Sequence, residues 1–337
     1  MMKNTKKTLS FLLALALCLS LLCGCIPAQT PQVKATEPAT EPIQPVIVEP
    51  QPSEAEILAW TELTEGLTIS ARTYFVYDTK TSSFLASSAP AETKVFPASV
   101  TKLMTALVAL EYLQPTEYVT AGREMEKVSW DSSVAGIKKG DTLTVSQLIE
   151  GMMLPSGNDA AYVIAAAAGR KILKQDGADA FTAVDAFITR MNGKAQELGL
   201  YDSHFVNPDG MHSDNHYLSI RDLAKLGQLA TENATIAKYT GLAVGNNPKY
   251  DEKNTDENAP RQWMNTNALL HPESVYYCSY AIGLKTGSTN AAGKCLLSAF
   301  LLEGKTYIVG VFGCPEDTMR FTDTLMLFLD YIVNEPA

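Results

Sequence analysis

The stretch PASVTKLMTALVAL, residues 97–110, decides how this chain is read. Ser99 and Lys102 stand three residues apart at the head of an otherwise small and apolar run, and residues at that spacing share one face of a helix. Pro97 stiffens the approach, and the unpaired backbone N–H groups of a helix start carry partial positive charge. An ammonium group buried there loses hydration and meets a field of its own sign, so its pKa falls. A neutral amine beside a hydroxyl can take the hydroxyl proton and leave a nucleophilic oxygen. The plain alternative is a capping Ser99 with Lys102 reaching to solvent. No other S-x-x-K occurs in the chain.

Two further polar strips support the chemical reading. LPSGNDAA, residues 154–161, offers Ser156 and Asn158 on a turn between two helical patterns. A hydroxyl and an amide two residues apart can face one cleft, Ser156 relaying a proton and Asn158 orienting Lys102. IGLKTGSTN, residues 282–290, is strand-like and offers Lys285 and Thr286, a cation and a hydroxyl able to grip a carboxylate. Gly287 lets an extended ligand backbone lie against the strand. The backbone N–H groups of Ser288 and Ser99 would together form an oxyanion hole.

S-x-x-K, S-x-N and K-T-G in that order resemble the signature of penicillin-binding proteins and serine β-lactamases. The flanks PASVTKLMTALVALE, SGNDAA, FVNPDGMHSDNHYLSIRDLAKL and GLKTGSTNAAGKCLLSA look like the low-molecular-weight D-alanyl-D-alanine carboxypeptidases, serine peptidase family S11. The likeness runs from about 70 to 335. It implies an acyl-enzyme on Ser99 with Lys102 as base, and Ser156 and Asn158 assisting proton transfer and positioning. Lys285, Thr286, Gly287 and Ser288 would bind substrate, the first two holding the terminal carboxylate of D-Ala. The implied partners are peptidoglycan stem pentapeptides, with β-lactams as acylating inhibitors and no cofactor or metal.

Rival placements exist. Ser213-Asp214-Asn215 spells the S-D-N of class A β-lactamases more literally than Ser156-Gly157-Asn158, but lies twice as far past Ser99 and lacks a preceding helix. Ser288-Thr289-Asn290 overlaps the K-T-G strand. Many relatives carry an aromatic residue or His where Ser288 stands, and some carry Arg where MNTNALL has Thr266. The four histidines, His204, His212, His216 and His271, show no metal-binding spacing, and no G-x-S-x-G elbow occurs. His212 and His216 read as loop hydrogen bonders, with contact to substrate at the rim as the other option. A β-lactamase is the nearest alternative activity, but no E-x-x-x-N follows Ser156 before Lys285. A non-enzymatic lipoprotein that senses β-lactams or muropeptides is the alternative of another class.

Working outward, residues 1–25 read as a lipoprotein signal peptide: Lys3, Lys6 and Lys7, then an apolar run too short to span a membrane comfortably. Leu22-Cys23-Gly24-Cys25 resembles a lipobox, making Cys25 the lipidated first residue of an extracytoplasmic, membrane-anchored protein. The full chain of 337 residues carries 27 basic and 37 acidic residues, a net charge of −10. Removing residues 1–24 takes away three lysines and no acids, leaving 24 − 37 = −13. That balance argues against a nucleic-acid partner. Residues 26–56, rich in Pro, Thr and Glu, read as a disordered tether.

Residues 57–337 read as a transpeptidase-like catalytic domain of α/β (α+β) class. Its antiparallel sheet comes from both chain ends, flanked by helices, with a helical subdomain inserted at about 99–240. ARTYFVYDTKTSSFLASS predicts two strands around Asp78–Thr81, and CLLSAFLLEGKTYIVGVFGC a hairpin turning at Glu303–Lys305. Thr144/Gln147 and Ser219/Asp222 predict capping boxes. DAAYVIAAAAGRKIL predicts a small-residue helix in close contact with its neighbours, and TMRFTDTLMLFLDYIV a final helix. Cys278, Cys295 and Cys314 are an odd set; Cys295 and Cys314 either pair or stay as buried thiols.

Overall fold

The strand pair near residue 78 and the hairpin near residue 303 meet in one sheet. The computed structural model describes residues 52–248 and 262–334. The signal peptide, Cys25 and the tether up to residue 51 lie outside the described residues. In chain order, helix α1 (Glu54–Thr64) precedes strands β1 (Thr73–Asp78), β2 (Ser83–Ser87) and β3 (Lys94–Val95). A 3-10 turn, Ala98–Val100, runs into helix α2 (Thr101–Ala109). Strands β4 (Tyr118–Thr120) and β5 (Thr142–Thr144) lead to helices α3 (Val145–Met153), α4 (Asn158–Leu173) and α5 (Ala180–Glu197). After β6 (Leu218–Ser219) come α6 (Ile220–Glu232) and α7 (Ala234–Thr240), then the small pair β7 (Val244–Asn246) and β8 (Gln262–Met264). Strands β9 (Ala281–Thr289), β10 (Gly293–Leu302) and β11 (Lys305–Cys314) and helix α8 (Met319–Phe328) follow.

The main sheet is antiparallel, in the order β2-β1-β11-β10-β9, so the N-terminal hairpin pairs with the C-terminal strands and β9 is an edge. Both faces are covered, which is why β10 and β11 read as almost unbroken apolar runs. The period of two sorts them. Cys295, Leu297, Ala299, Ile308 and Phe312 face the core shared with α2, α4 and α6. Leu296, Phe300, Val309 and Val311 face the core closed by α1 and α8. Trp60 of α1 locks that second layer: its ring meets Phe328 edge-on at 5.7 Å and its Nε1 donates to the Tyr277 carbonyl at 2.9 Å.

Local chemistry explains the boundaries. Glu303 and Gly304 both take positive φ, +52° and +71°, as a two-residue turn between right-twisted strands requires. Lys305 therefore belongs to β11 and not to the turn. Thr144 and Gln147 form the complete reciprocal cap of α3. At α6 only half of the expected box forms. Ser219 accepts from the Asp222 N–H, but the Asp222 carboxylate turns away to accept from Asp202 N and Ser203 Oγ. Those bonds pin the 202–203 loop onto α6. Ser53 and Glu56 cap α1 reciprocally, so the tether expected to reach residue 56 gives way to helix at Glu54. The expected final helix keeps α geometry only to Phe328 and continues as a π-helical turn, Leu329–Val333. Cys278, Cys295 and Cys314 are buried free thiols, which settles the open pairing of Cys295 and Cys314. Burial holds each of the three above the usual thiol range. Among the described residues, no helix is long and apolar enough to cross a membrane.

The small-residue helix α4 packs as its composition predicts. A Cβ added at Gly169 would fall 1.9 Å from the carbonyl oxygen of Ala183, so the α4 and α5 backbones touch. Gly169→Ala must push two helices apart, and overpacking of this kind costs about 3 kcal/mol. The expected outcome is a fall of roughly 6–12 °C in melting temperature by circular dichroism. A variant melting with the parent protein would contradict the contact.

Candidate active site

The site begins where the chain is forced into an uncommon conformation. Ala98 takes φ +47°, a left-handed value that costs a residue with a Cβ, immediately before Ser99. Gly210, at φ +87°, permits it: a Cβ there would sit 1.9 Å from the Ala98 carbonyl oxygen. The turn into α2 carries no side-chain cap, so the Ser99 hydroxyl is not spent on helix capping. Lys102 lies in the first turn of α2 and is fully buried. Its Nζ donates to Ser99 Oγ at 2.8 Å, to Asn158 Oδ1 at 2.7 Å and to the Asp209 carbonyl at 2.8 Å. The snorkelling alternative is thus excluded.

Asn158 opens α4, just after the turn that carries Ser156. Ser156 is left-handed, at φ +63°, and buried. Asp159 accepts from the backbone N–H groups of Ala135 and Ile137, tying the 131–137 loop to the same helix start. From the third side comes β9. A Cβ at Gly287 would stand 2.9 Å from the Pro97 carbonyl and 3.1 Å from Ser99 N, so only glycine lets the strand lie this close to Ser99. Together these segments frame a cleft of about 440 Å³. Ser99, Asn158, Asp209, His212 and Ser288 line it, with residues 131–133 and 289–291 as further walls.

The charges are unusual for an acidic protein. Burial pulls the Lys102 pKa down to about 8, against a partial upward pull from the Asp209 and Asp159 carboxylates. Lys285 is buried too, with its Nζ donating to the Thr286 carbonyl at 3.2 Å. Desolvation, and then the like charges of Lys102 and Arg320, hold it well below the ordinary lysine value. No carboxylate pairs with it among the described residues. Thr286 shares a hydrogen bond with Thr266, so the position where some relatives carry Arg supplies a second hydroxyl to the K-T-G strand. Ser288 stands exposed in the cleft.

The eight residues expected at the site lie on three segments, Ser99 and Lys102, Ser156 and Asn158, and Lys285 to Ser288; of them Ser99, Asn158 and Ser288 line the cleft, and Lys102 and Lys285 are buried behind it. Lys102 reaches Asn158 and not the alternative triplet, whose Asp214 and Asn215 are exposed. His212 lines the cleft, its ring edge-on to Phe96 at 4.7 Å. His216 is a core residue bonded to Thr101 Oγ1 at 2.8 Å, with burial lowering its pKa to about 3, so it is neutral.

Sequence reasoning missed four contributors. Asp209 supplies a carbonyl to Lys102 and a buried carboxylate whose Oδ2 has no hydrogen-bond partner among the described residues; burial raises its pKa. The turn sequence NPDG marks a bend but not its neighbour. Asp159 follows Asn158 directly and could have been flagged as an acid in a first helical turn. Arg320 of α8 donates to the Gly287 and Cys295 carbonyls behind the K-T-G strand. Nothing in its local sequence tells it from a surface arginine. The 131–133 wall is a loop without a motif.

Comparison with known proteins identifies the family. The family profile of D-alanyl-D-alanine carboxypeptidase, Peptidase_S11, matches residues 60–316. The chain is 36% identical over 245 residues to the D-alanyl-D-alanine carboxypeptidase of Streptomyces sp. (strain K15), covering 69% of this chain and 77% of that one. It is 33% identical to the D-alanyl-D-alanine carboxypeptidase DacA of Escherichia coli (strain K12), over 68% of this chain but only 53% of the relative. The crystal structure of the Streptomyces K15 DD-transpeptidase superposes with a TM-score of 0.65 at 33% identity, covering 78% of this chain and 97% of that one. With a profile spanning most of its length and relatives at this level, the chain belongs to the D-alanyl-D-alanine carboxypeptidase family, peptidase family S11.

Proposed function

We propose that this protein is a serine-type D-Ala-D-Ala carboxypeptidase that removes the terminal D-Ala from peptidoglycan stem pentapeptides. The observation that carries the reading is the buried Lys102 amine, 2.8 Å from Ser99 Oγ, with a pKa of about 8. In this reading the neutral amine takes the Ser99 proton as Oγ attacks the carbonyl between the two D-Ala residues. The backbone N–H groups of Ser99 and Ser288 receive the developing oxyanion. The C–N bond breaks, and the departing amine takes a proton passed on by Ser156. Lys285 and Thr286 hold the terminal carboxylate, which supplies the counter-charge that Lys285 lacks. Asn158 keeps Lys102 aimed, and Gly287 lets the substrate backbone lie along β9. Water then cleaves the acyl-enzyme. A β-lactam presents the same carboxylate and an acylating carbonyl, so it reacts at the same serine.

Two experiments test these roles. Intact-mass spectrometry after penicillin treatment should show one penicillin added to the parent protein and none to Ser99→Ala, and only the parent should release D-Ala from a pentapeptide. A penicillin adduct on Ser99→Ala would remove Ser99 from its role. The pH profile follows from sign. Lys102 works as a base only when unprotonated, so acylation should be slow at pH 6 and rise to a plateau with its midpoint near pH 8. Asp209→Asn deletes a charge that favours the ammonium form, so its midpoint should move to lower pH. An upward move would overturn this account of the lysine.

The domain layout and the anchor belong to the same reading. A lipobox at Leu22–Cys25 followed by a Pro-rich tether supports a catalytic domain held outside the cytoplasmic membrane by a lipid on Cys25. Cys25→Ala should shift the protein from the membrane pellet to the soluble extracytoplasmic fraction. Retention in the pellet would refute the lipid anchor.

A further inference from the structure

A second concavity, of about 460 Å³, opens beside the cleft. Ala291 belongs to both, and two packed rings border them: His212 lines the cleft, and Phe96, edge-on against it, lines the groove. Phe96, Tyr217 and Phe312 supply aromatic walls, and Arg72 and Lys94 line the groove beside them. Both cations are exposed, and neither has a carboxylate partner among the described residues. Lys94 Nζ rests 4.1 Å from the centroid of the Tyr217 ring. Arg72 donates to the Ala291 and Ala292 carbonyls at 3.1 Å each, which fixes its guanidinium at the groove edge nearest the cleft. Asp214 also lines the groove, but its carboxylate faces His212 at 3.5 Å. Two unmatched cations beside aromatic walls are a concentration of positive charge on a chain of net charge −10.

The strand direction links this groove to the reaction. A peptide with its end carboxylate at Lys285 and Thr286 and its scissile carbonyl at Ser99 and Ser288 continues toward Thr289, Asn290 and Ala291. Three strand residues span about 10 Å, so the second or third peptide residue ahead of the scissile carbonyl arrives at the groove. We propose that this groove is a subsite for a carboxylate carried by the stem peptide upstream of the D-Ala pair, held by Arg72 and Lys94. The inference rests on the function proposed above and assigns the part of the substrate that the catalytic cleft does not touch. A β-lactam lacks this upstream segment, so the groove bears on peptide selection and not on acylation by penicillin.

The test uses two acetylated peptides ending in D-Ala-D-Ala that differ only by Glu or Gln two residues ahead of the D-Ala pair. Two partly exposed ion pairs predict a kcat/KM about fivefold higher for the Glu peptide, mainly through KM and shrinking as salt is raised. In Lys94→Met and Arg72→Gln that ratio should fall toward one, and Lys94→Arg should restore it. Equal kcat/KM for the two peptides with the parent protein, or a ratio that survives both charge removals, would overturn the subsite. Equal release of D-Ala from both peptides sinks the subsite alone. Release from neither sinks the proposed function with it.

Discussion

One buried amine holds the catalytic region together. The Lys102 Nζ draws the head of α2, the start of α4 and the Asp209 carbonyl to a single point, joining residues that lie 56 and 107 positions away in the chain. A lysine in that position is costly, because an ammonium loses its hydration on burial. Hydrogen bonds from a charged donor return about 1.5–3 kcal/mol each, so three together offset a desolvation cost of several kcal/mol. Burial outweighs the upward pull of the Asp209 and Asp159 carboxylates, which leaves the pKa near 8 and not near that of a free lysine. The arrangement that satisfies the amine is also the one that places it against Ser99.

The fold around that point removes side chains wherever segments must approach. Gly210 makes room for the Ala98 carbonyl and Gly287 for the Pro97 carbonyl and Ser99 N–H, while Gly169 lets α4 lie against α5. Each gives up side-chain packing for proximity, two of them within one residue of a group that lines the cleft or of Ser99 itself. Backbone strain also occurs at the site: Ala98 and Ser156 are both left-handed and both beside its polar groups.

Electrostatically the site is built to be completed. Lys102 and Arg320 lie close enough to Lys285 to disfavour its charged form, and the Asp209 and Asp159 carboxylates offset burial only in part at Lys102. The substrate carboxylate of the proposed function would bring the opposite charge to this cluster. The neighbouring groove repeats the theme at the surface with Arg72 and Lys94. In the function and subsite proposed above, basic side chains stand at both ends of an extended ligand along β9, with Ser99 between them.

How much of this was legible before folding depends on the range of the physics. Strands and hairpins were readable because side-chain alternation and turn residues act over a few positions, and the α3 cap because it closes within four. The three motifs were readable because the polar side chains of each keep fixed short spacings along the chain. What adds charge and shape from elsewhere was not: Asp209, Arg320, the Thr266–Thr286 pair and the 131–133 wall have ordinary local contexts. At Ser219 local logic predicted a reciprocal cap, and a distant loop claimed the Asp222 carboxylate instead. Sequence alone thus determined the element types, the residue chemistry and the order of the three motifs. Only the tertiary structure decided that Lys102 is dry, that Asn158 and not Asn215 meets it, and that Cys295 and Cys314 stay apart. Burial and long-range juxtaposition belong to the folded surface, and no short window of residues contains them.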